Sequence, residues 1–215
     1  MRHGFRVGIL GVGIFCGLSS GLCGQEFSAD WISTRVQGNE TSTPGKIYVG
    51  KDKIRLEPKE AGGGMAGMGG VMIVDLSAQT SVVLFPQRHA YIEAVPWRVA
   101  QRTFSFFRPA DIEDACPDWQ KLARKPGGSC HKVGHEMVNG RDAVKYEGTS
   151  AEGETGAVWL DTRLRFVVEY KGKNSGGELR NIQEGSQPGS LFEIPADYQK
   201  MDMGGMMTRP TPPNQ

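Results

Sequence analysis

The chain has 215 residues, with 25 Lys+Arg against 24 Asp+Glu and a formal net charge of +1; 38% of residues are hydrophobic. Balanced charge excludes the basic face with which nucleic-acid binders neutralise phosphates. The length suits one domain with its own core.

Arg2, His3 and Arg6 precede Val7-Gly-Ile-Leu-Gly-Val-Gly-Ile-Phe-Cys-Gly-Leu18, a run without charge, and small and polar residues follow through Gly24. A basic, then apolar, then small-residue order is that of a secretory signal peptide. The apolar run falls short of the roughly 20 residues a membrane span needs. The expected organisation is a signal peptide over 1–24, a domain over 25–200 and a Met/Pro-rich tail over 201–215, in a periplasmic or secreted protein. Without Arg2 and Arg6 the remainder carries 23 basic residues against 24 acidic, near −1. Ser20-Gly21-Leu22 before Cys23 is a weak match to a lipidation site.

From Phe27 onward, short runs of alternating or continuous apolar residues are separated by turn residues. Strands are expected at 27–37, 45–50, 52–58, 71–76, 80–86 and 88–95, with Asn39-Glu-Thr-Ser-Thr-Pro-Gly45 and Gly50-Lys-Asp52 as turns. Val82-Val-Leu-Phe85 reads as a strand covered on both faces. Trp97, Ala100, Phe104 and Phe107 then recur at helical spacing, one face of a helix. A second short helix is expected from Asp118, as N-cap, through Trp119 and Leu122 to Arg124. Strands resume at 131–138, 141–148, 154–161, 164–171 and 178–184, with Asn139-Gly140 as the strongest hairpin signal. Leu191-Phe-Glu-Ile194 closes the domain. The fold class is α+β: a strongly curved antiparallel sheet of about eleven strands, a half-open barrel capped by one or two short helices.

Beyond the leader two cysteines remain, Cys116 and Cys130. An even pair in an oxidising compartment reads as one disulfide. A redox dithiol would prefer Cys-x-x-Cys, which is absent. Cys130-His131 is not haem attachment, since Gly127 stands where the other cysteine would be.

No catalytic constellation appears. His135-Glu136 lacks the second histidine of a zinc-protease helix, and Gly45-Lys46 is followed by Ile47, not by the Ser or Thr of a phosphate loop. No Gly-x-Ser-x-Gly elbow is present. His131 and His135 fall on one face of the expected strand, too far apart to share a metal unaided. The chain reads as a non-enzyme without a cofactor.

Several local motifs, in order, carry a likeness: Phe27-Ser-Ala-Asp-Trp31, Gly45-Lys-Ile-Tyr48, Lys53-Ile-Arg-Leu56, Val158-Trp-Leu-Asp161, Phe166-Val-Val-Glu-Tyr170 and Phe192-Glu-Ile-Pro-Ala-Asp-Tyr198. Together they resemble the LolA/LolB-like superfamily of periplasmic lipoprotein carriers, and more closely exported members of uncharacterised role. The resemblance implies an apolar concave face, capped by helices, that holds a lipid, an acyl chain or an acylated protein. Trp31, Trp97, Ala100, Phe104 and Phe107 are the implied cavity and lid residues, or they complete a closed core. Arg35 and Arg55 are both open as the carriers' lid-contacting arginine. A sensor or interaction module with an envelope protein partner is the alternative without a small ligand.

Met65, Met68 and Met72 form one methionine cluster, and Met201, Met203, Met206 and Met207 a second. Soft thioethers at this spacing can bind Cu(I). They can equally line a ligand mouth or fill gaps between loop and tail.

Overall fold

The computed structural model describes residues 25–37, 39–58, 70–93, 108–122 and 126–201, with the backbone alone over 34–44. The strands are β1 Phe27–Gln37, β2 Asn39–Val49, β3 Lys53–Pro58, β4 Val71–Asp75, β5 Thr80–Phe85, β6 Ala90–Glu93, β7 Ser129–Val138, β8 Arg141–Thr149, β9 Thr155–Asp161, β10 Phe166–Gly172, β11 Ser175–Glu184 and β12 Gln199–Lys200. They form one 12-stranded sheet in the order β12-β6-β5-β4-β3-β2-β1-β11-β10-β9-β8-β7. Every pairing is antiparallel except that of β12 with β6. The sheet does not close, since β12 and β7 are its edges. The curved-sheet expectation holds, with twelve described strands in place of about eleven. The added β12 is two residues long and carries no periodic signal.

The curl can be read from one contact. Asn139, at the tip of the β7–β8 hairpin, donates from Nδ2 to the carbonyl of Leu179 on β11 at 3.2 Å. In the sheet order β8 lies three strands from β11, about 14 Å away if the sheet were flat. Only strong curvature brings the two together. The tip is the expected two-residue turn, with Asn139 at φ 48 and Gly140 at φ 80, the left-handed angles of a type I′ hairpin.

Asn39–Gly45, expected as a turn, is strand. Gln37 opposes Asn39, Ile32 opposes Pro44 and Trp31 opposes Gly45. Pairing along the length of β1 overrides the local composition. Described pairing of β2 with β3 ends at Gly45, so Pro44 sits in an edge-like stretch where proline is tolerated.

β5 is covered on both faces, as its sequence suggests. Leu84 packs with Val71, Ile73, Phe192 and Tyr198, while Val83 and Phe85 pack with Ile92, Met72 and Met201. The first layer is held by the C-terminal segment, where a 3₁₀ turn at Gly189–Phe192 sets the Phe192 ring against Gly50. Arg55 donates to Leu191 O at 2.8 Å and to Glu57 at 2.6 Å.

The described helix, α1 Cys116–Leu122, starts two residues before the expected cap. Pro117 is tolerated in the first turn, where its missing N–H costs nothing. Asp118 instead accepts from the Ala110 N–H and from Lys121, both at 2.8 Å. The expected helix over 97–107 lies outside the described residues.

Segment 108–115 and α1 cover Val144, Tyr146, Leu160 and Val167. Tyr146 Oη donates to Ile112 O at 2.7 Å and accepts from the Ala115 N–H at 3.2 Å. The Cys116–Cys130 disulfide, Cα–Cα 5.6 Å, ties the helix to β7.

Candidate functional site

The sheet divides into two leaves at the β10–β11 junction. β1 and β2 pair over eleven positions and β7 and β8 over nine, but β10 and β11 pair only at Glu169–Glu178, Tyr170–Gly177 and Lys171–Gly176. Beyond Glu178 the leaves are bridged by side chains. Asn139 donates to Glu178 Oε2 at 3.0 Å and to Leu179 O; Arg141 reaches Glu184 at 2.7 Å and Arg163 reaches it at 2.9 Å. Phe27 meets Phe166 edge-on, ring centroids 5.4 Å apart.

A cleft opens at this seam. It is lined by Trp31, Ile47, Phe166, Val167, Val168, Glu169, Tyr170, Gly177, Glu178 and Leu179. Register explains the convergence. Tyr170 opposes Gly177 on β11, and Leu179, two residues on, opposes Trp31 on β1. Strand alternation therefore puts all four on one face. Gly177 is needed there, because a Cβ would lie 2.5 Å from the Tyr170 ring and 3.1 Å from Trp31 Nε1. The same face continues through Ala29 and Ile47 to Val49, Leu56 and Val74, all buried.

Among the described residues the cleft encloses about 30 Å³, the share of one water. An occupied small-molecule pocket usually has about 300–1,000 Å³. As described, it is a narrow cleft in an apolar face, not a preformed cavity.

The rim is charged but spent along its own strands. Glu169 pairs with Lys171 at 2.7 Å, and Glu178 with Arg180. Burial pushes the Glu178 carboxyl up, but Arg180 and Asn139 outweigh it and hold it below the usual carboxylate range. Lys145 and Lys171 lie 5.2 and 4.8 Å from the Trp159 ring, whose Nε1 donates to Glu136 at 2.8 Å. Each of these carboxylates is matched by a basic or N–H donor.

Of the expected cavity residues, Trp31 lines this cleft. Trp97, Ala100, Phe104 and Phe107 lie outside the described residues. Arg55, turned to Leu191 and Glu57, faces away from Ile54 and Leu56 and hence from the apolar face; the side chain of Arg35 lies outside the described ones. From the methionine clusters, Met72 and Met201 both pack against Val83, Phe85 and Ile92. Met65, Met68, Met203, Met206 and Met207 lie outside the described residues.

His131 and His135 do not share a face. A bulge between Lys132 and Gly134 inserts one residue, so His131 opposes Glu147 while His135 opposes Val144. Positions 147 and 144 lie on opposite faces of β8. Gly134, at φ 150, is the residue that permits the bulge. His135 sits between Asp142 at 3.1 Å and Glu113 at 3.3 Å, and His131 is 3.9 Å from Glu147. Among the described residues no group of three His, Cys, Asp or Glu is placed to hold a metal.

Of the lining residues only Trp31 was expected in a cavity; those passed over include Tyr170, Gly177 and Leu179, which converge on it. The strand expected at 178–184 starts at Ser175, so Gly176-Gly177 lies inside β11, where glycines mark a close approach.

No family model matches the sequence, and no curated protein matches it significantly. Solved structures do. An uncharacterized conserved protein from Thermus thermophilus superposes with TM-score 0.51 at 8% identity, over 83% of this chain and 90% of that one. The Pseudomonas aeruginosa MucA/MucB complex gives TM-score 0.50 at 13% identity over 80% of this chain, which spans 56% of the matched chain. The LolA superfamily protein NE2245 from Nitrosomonas europaea aligns at 11% identity over 79% of this chain and 90% of that one, TM-score 0.40. At such identities the likeness is one of fold alone.

Proposed function

We propose that this chain binds an apolar ligand, namely a lipid, an acyl chain or an acylated protein, at the β10–β11 cleft and on the face behind it. It does so in the cell envelope, as an exported domain over 25–200, without catalysis. The observation that supports this reading is the cleft itself: Trp31, Tyr170 and Leu179 converge on a glycine, in front of a continuous apolar face. Burial of methylenes supplies the affinity, at about 0.8 kcal/mol each. The rim carboxylates are paired with basic groups, so these pairs add no net charge to the mouth.

The test is a chain-length series of saturated fatty acids competing with a fluorescent fatty-acid probe. Affinity should tighten about fourfold per added methylene until the face is filled. Affinity independent of length, or no competition, removes the reading. A second reading is favoured by one observation, the likeness to a chain of the MucA/MucB complex: the domain docks an envelope protein partner. Copper binding has less support, because the described member of each methionine cluster is packed against aliphatic and aromatic groups.

A further inference from the structure

We infer that the β10–β11 seam is the gate of the apolar face, with the Tyr170 ring as its movable leaf; this rests on the ligand reading above. Four features converge on it. The ladder joining the two leaves has three residue pairs, fewer than any other junction in the sheet except that with the two-residue β12. Two of those pairs place a glycine, Gly176 or Gly177, on β11, so β11 offers no side chain there and the packing across the seam is that of the Tyr170 ring over Gly177. The third opposes two carboxylates, Glu169 and Glu178, each paired to a cation on its own strand; the bond that crosses the seam there is from Asn139 Nδ2 to Glu178 Oε2. The cleft opens along this same line.

Tyr170 closes it. Its ring lies over Gly177 in the space a Cβ would occupy, beside the Trp31 indole. A rotamer change of that ring, with parting of the three-pair ladder, would open a continuous way from solvent to Ile47 and Val168. Asn139 and Arg141 hold the far end of the seam through Leu179 O and Glu184. The opening is therefore a hinge about that end, and the leaves do not separate.

A gate alters the rates of binding and release together and leaves affinity unchanged, whereas a lining residue changes affinity. The experiment joins the seam covalently in Glu169→Cys/Glu178→Cys. The cysteines are bridged by a disulfide, or by a one-carbon bis-methanethiosulfonate where the Cβ separation demands it, and peptide mapping checks that Cys116–Cys130 is intact. Stopped-flow fluorescence with dansyl-undecanoic acid compares this protein with wild type and with the same variant alkylated before bridging. Relative to the same variant alkylated before bridging, bridging should slow association and release together, about tenfold or more, with the ratio of the two rates unchanged within about twofold. Tyr170→Ala should speed both rates, because the ring that covers Gly177 is gone. Rates in the bridged protein equal to those of the alkylated variant would overturn the gate and leave the ligand reading standing. Failure of the wild type to bind the probe would overturn both.

Discussion

Replacing Asp161 with alanine should cost this domain a large part of its stability. The carboxylate is 1% exposed. It accepts from Arg141 Nε and Nη2, and from the backbone N–H groups of Arg163 at 2.9 Å and Leu164 at 2.7 Å. The same arginine reaches Glu184 on the other leaf at 2.7 Å. Removing the carboxylate strands the Arg141 guanidinium with one partner and leaves two backbone donors unpaired. Breaking one side of a buried pair costs about 3–5 kcal/mol, against a total stability of about 5–15 kcal/mol. Asp161→Asn keeps an oxygen for the turn but loses the charge, and should cost about 1.5–3 kcal/mol. Arg163→Ala removes a side chain 70% exposed and should cost under about 1 kcal/mol. Guanidinium unfolding, with the slope unchanged across the three variants, measures these differences. A loss below about 1 kcal/mol for Asp161→Ala would refute the assignment of this network as the tie between the leaves.

Replacing Cys116 and Cys130 together with serine should lower stability by about 3 kcal/mol under the loop-entropy account of a 14-residue separation, read from thermal unfolding without reductant. Gly177→Ala should push the Tyr170 ring off its seat, since the added methyl would lie 2.5 Å from it; the change is visible as altered Trp31 fluorescence, and an unchanged spectrum and stability would contradict the packing. Asp75 is held below the usual carboxylate range: burial raises it, but the Ala78 N–H, the Ser77 hydroxyl and Lys53 outweigh that, and Glu178 is lowered likewise. A lowered folded value means these groups stabilise the fold above their unfolded values, about pH 4, and that contribution is lost as pH falls further. Urea midpoints should therefore hold down to about pH 5 and drop below about pH 4; a midpoint that rises on acidification would contradict the ion pairing.

The sequence shows most of the strands because their signals are local. Asn139-Gly140 requires two left-handed residues that few other pairs tolerate, and Val82–Phe85 has too little polarity to face water on either side. The disulfide follows from cysteine arithmetic once the expected leader takes Cys16 and Cys23. What depends on a neighbour could not be read. Asn39–Gly45 looks like a turn until β1 pairs with it, and the faces of His131 and His135 turn on a single inserted residue before Gly134. The seam is the clearest case. Phe166–Tyr170 reads as ordinary strand and Gly176-Gly177 falls before the strand expected at 178–184, and only the register that sets Tyr170 against Gly177 makes a cleft of them.

Photoaffinity labelling with a diazirine-bearing octadecanoic acid, followed by peptide mapping, tests the central claim most directly. Label on the peptides holding Trp31, Phe166–Tyr170 and Gly177–Leu179, removed by excess unlabelled acid, is the predicted result. Label confined to other surfaces, or not displaced by that acid, would contradict an apolar ligand site at the β10–β11 cleft.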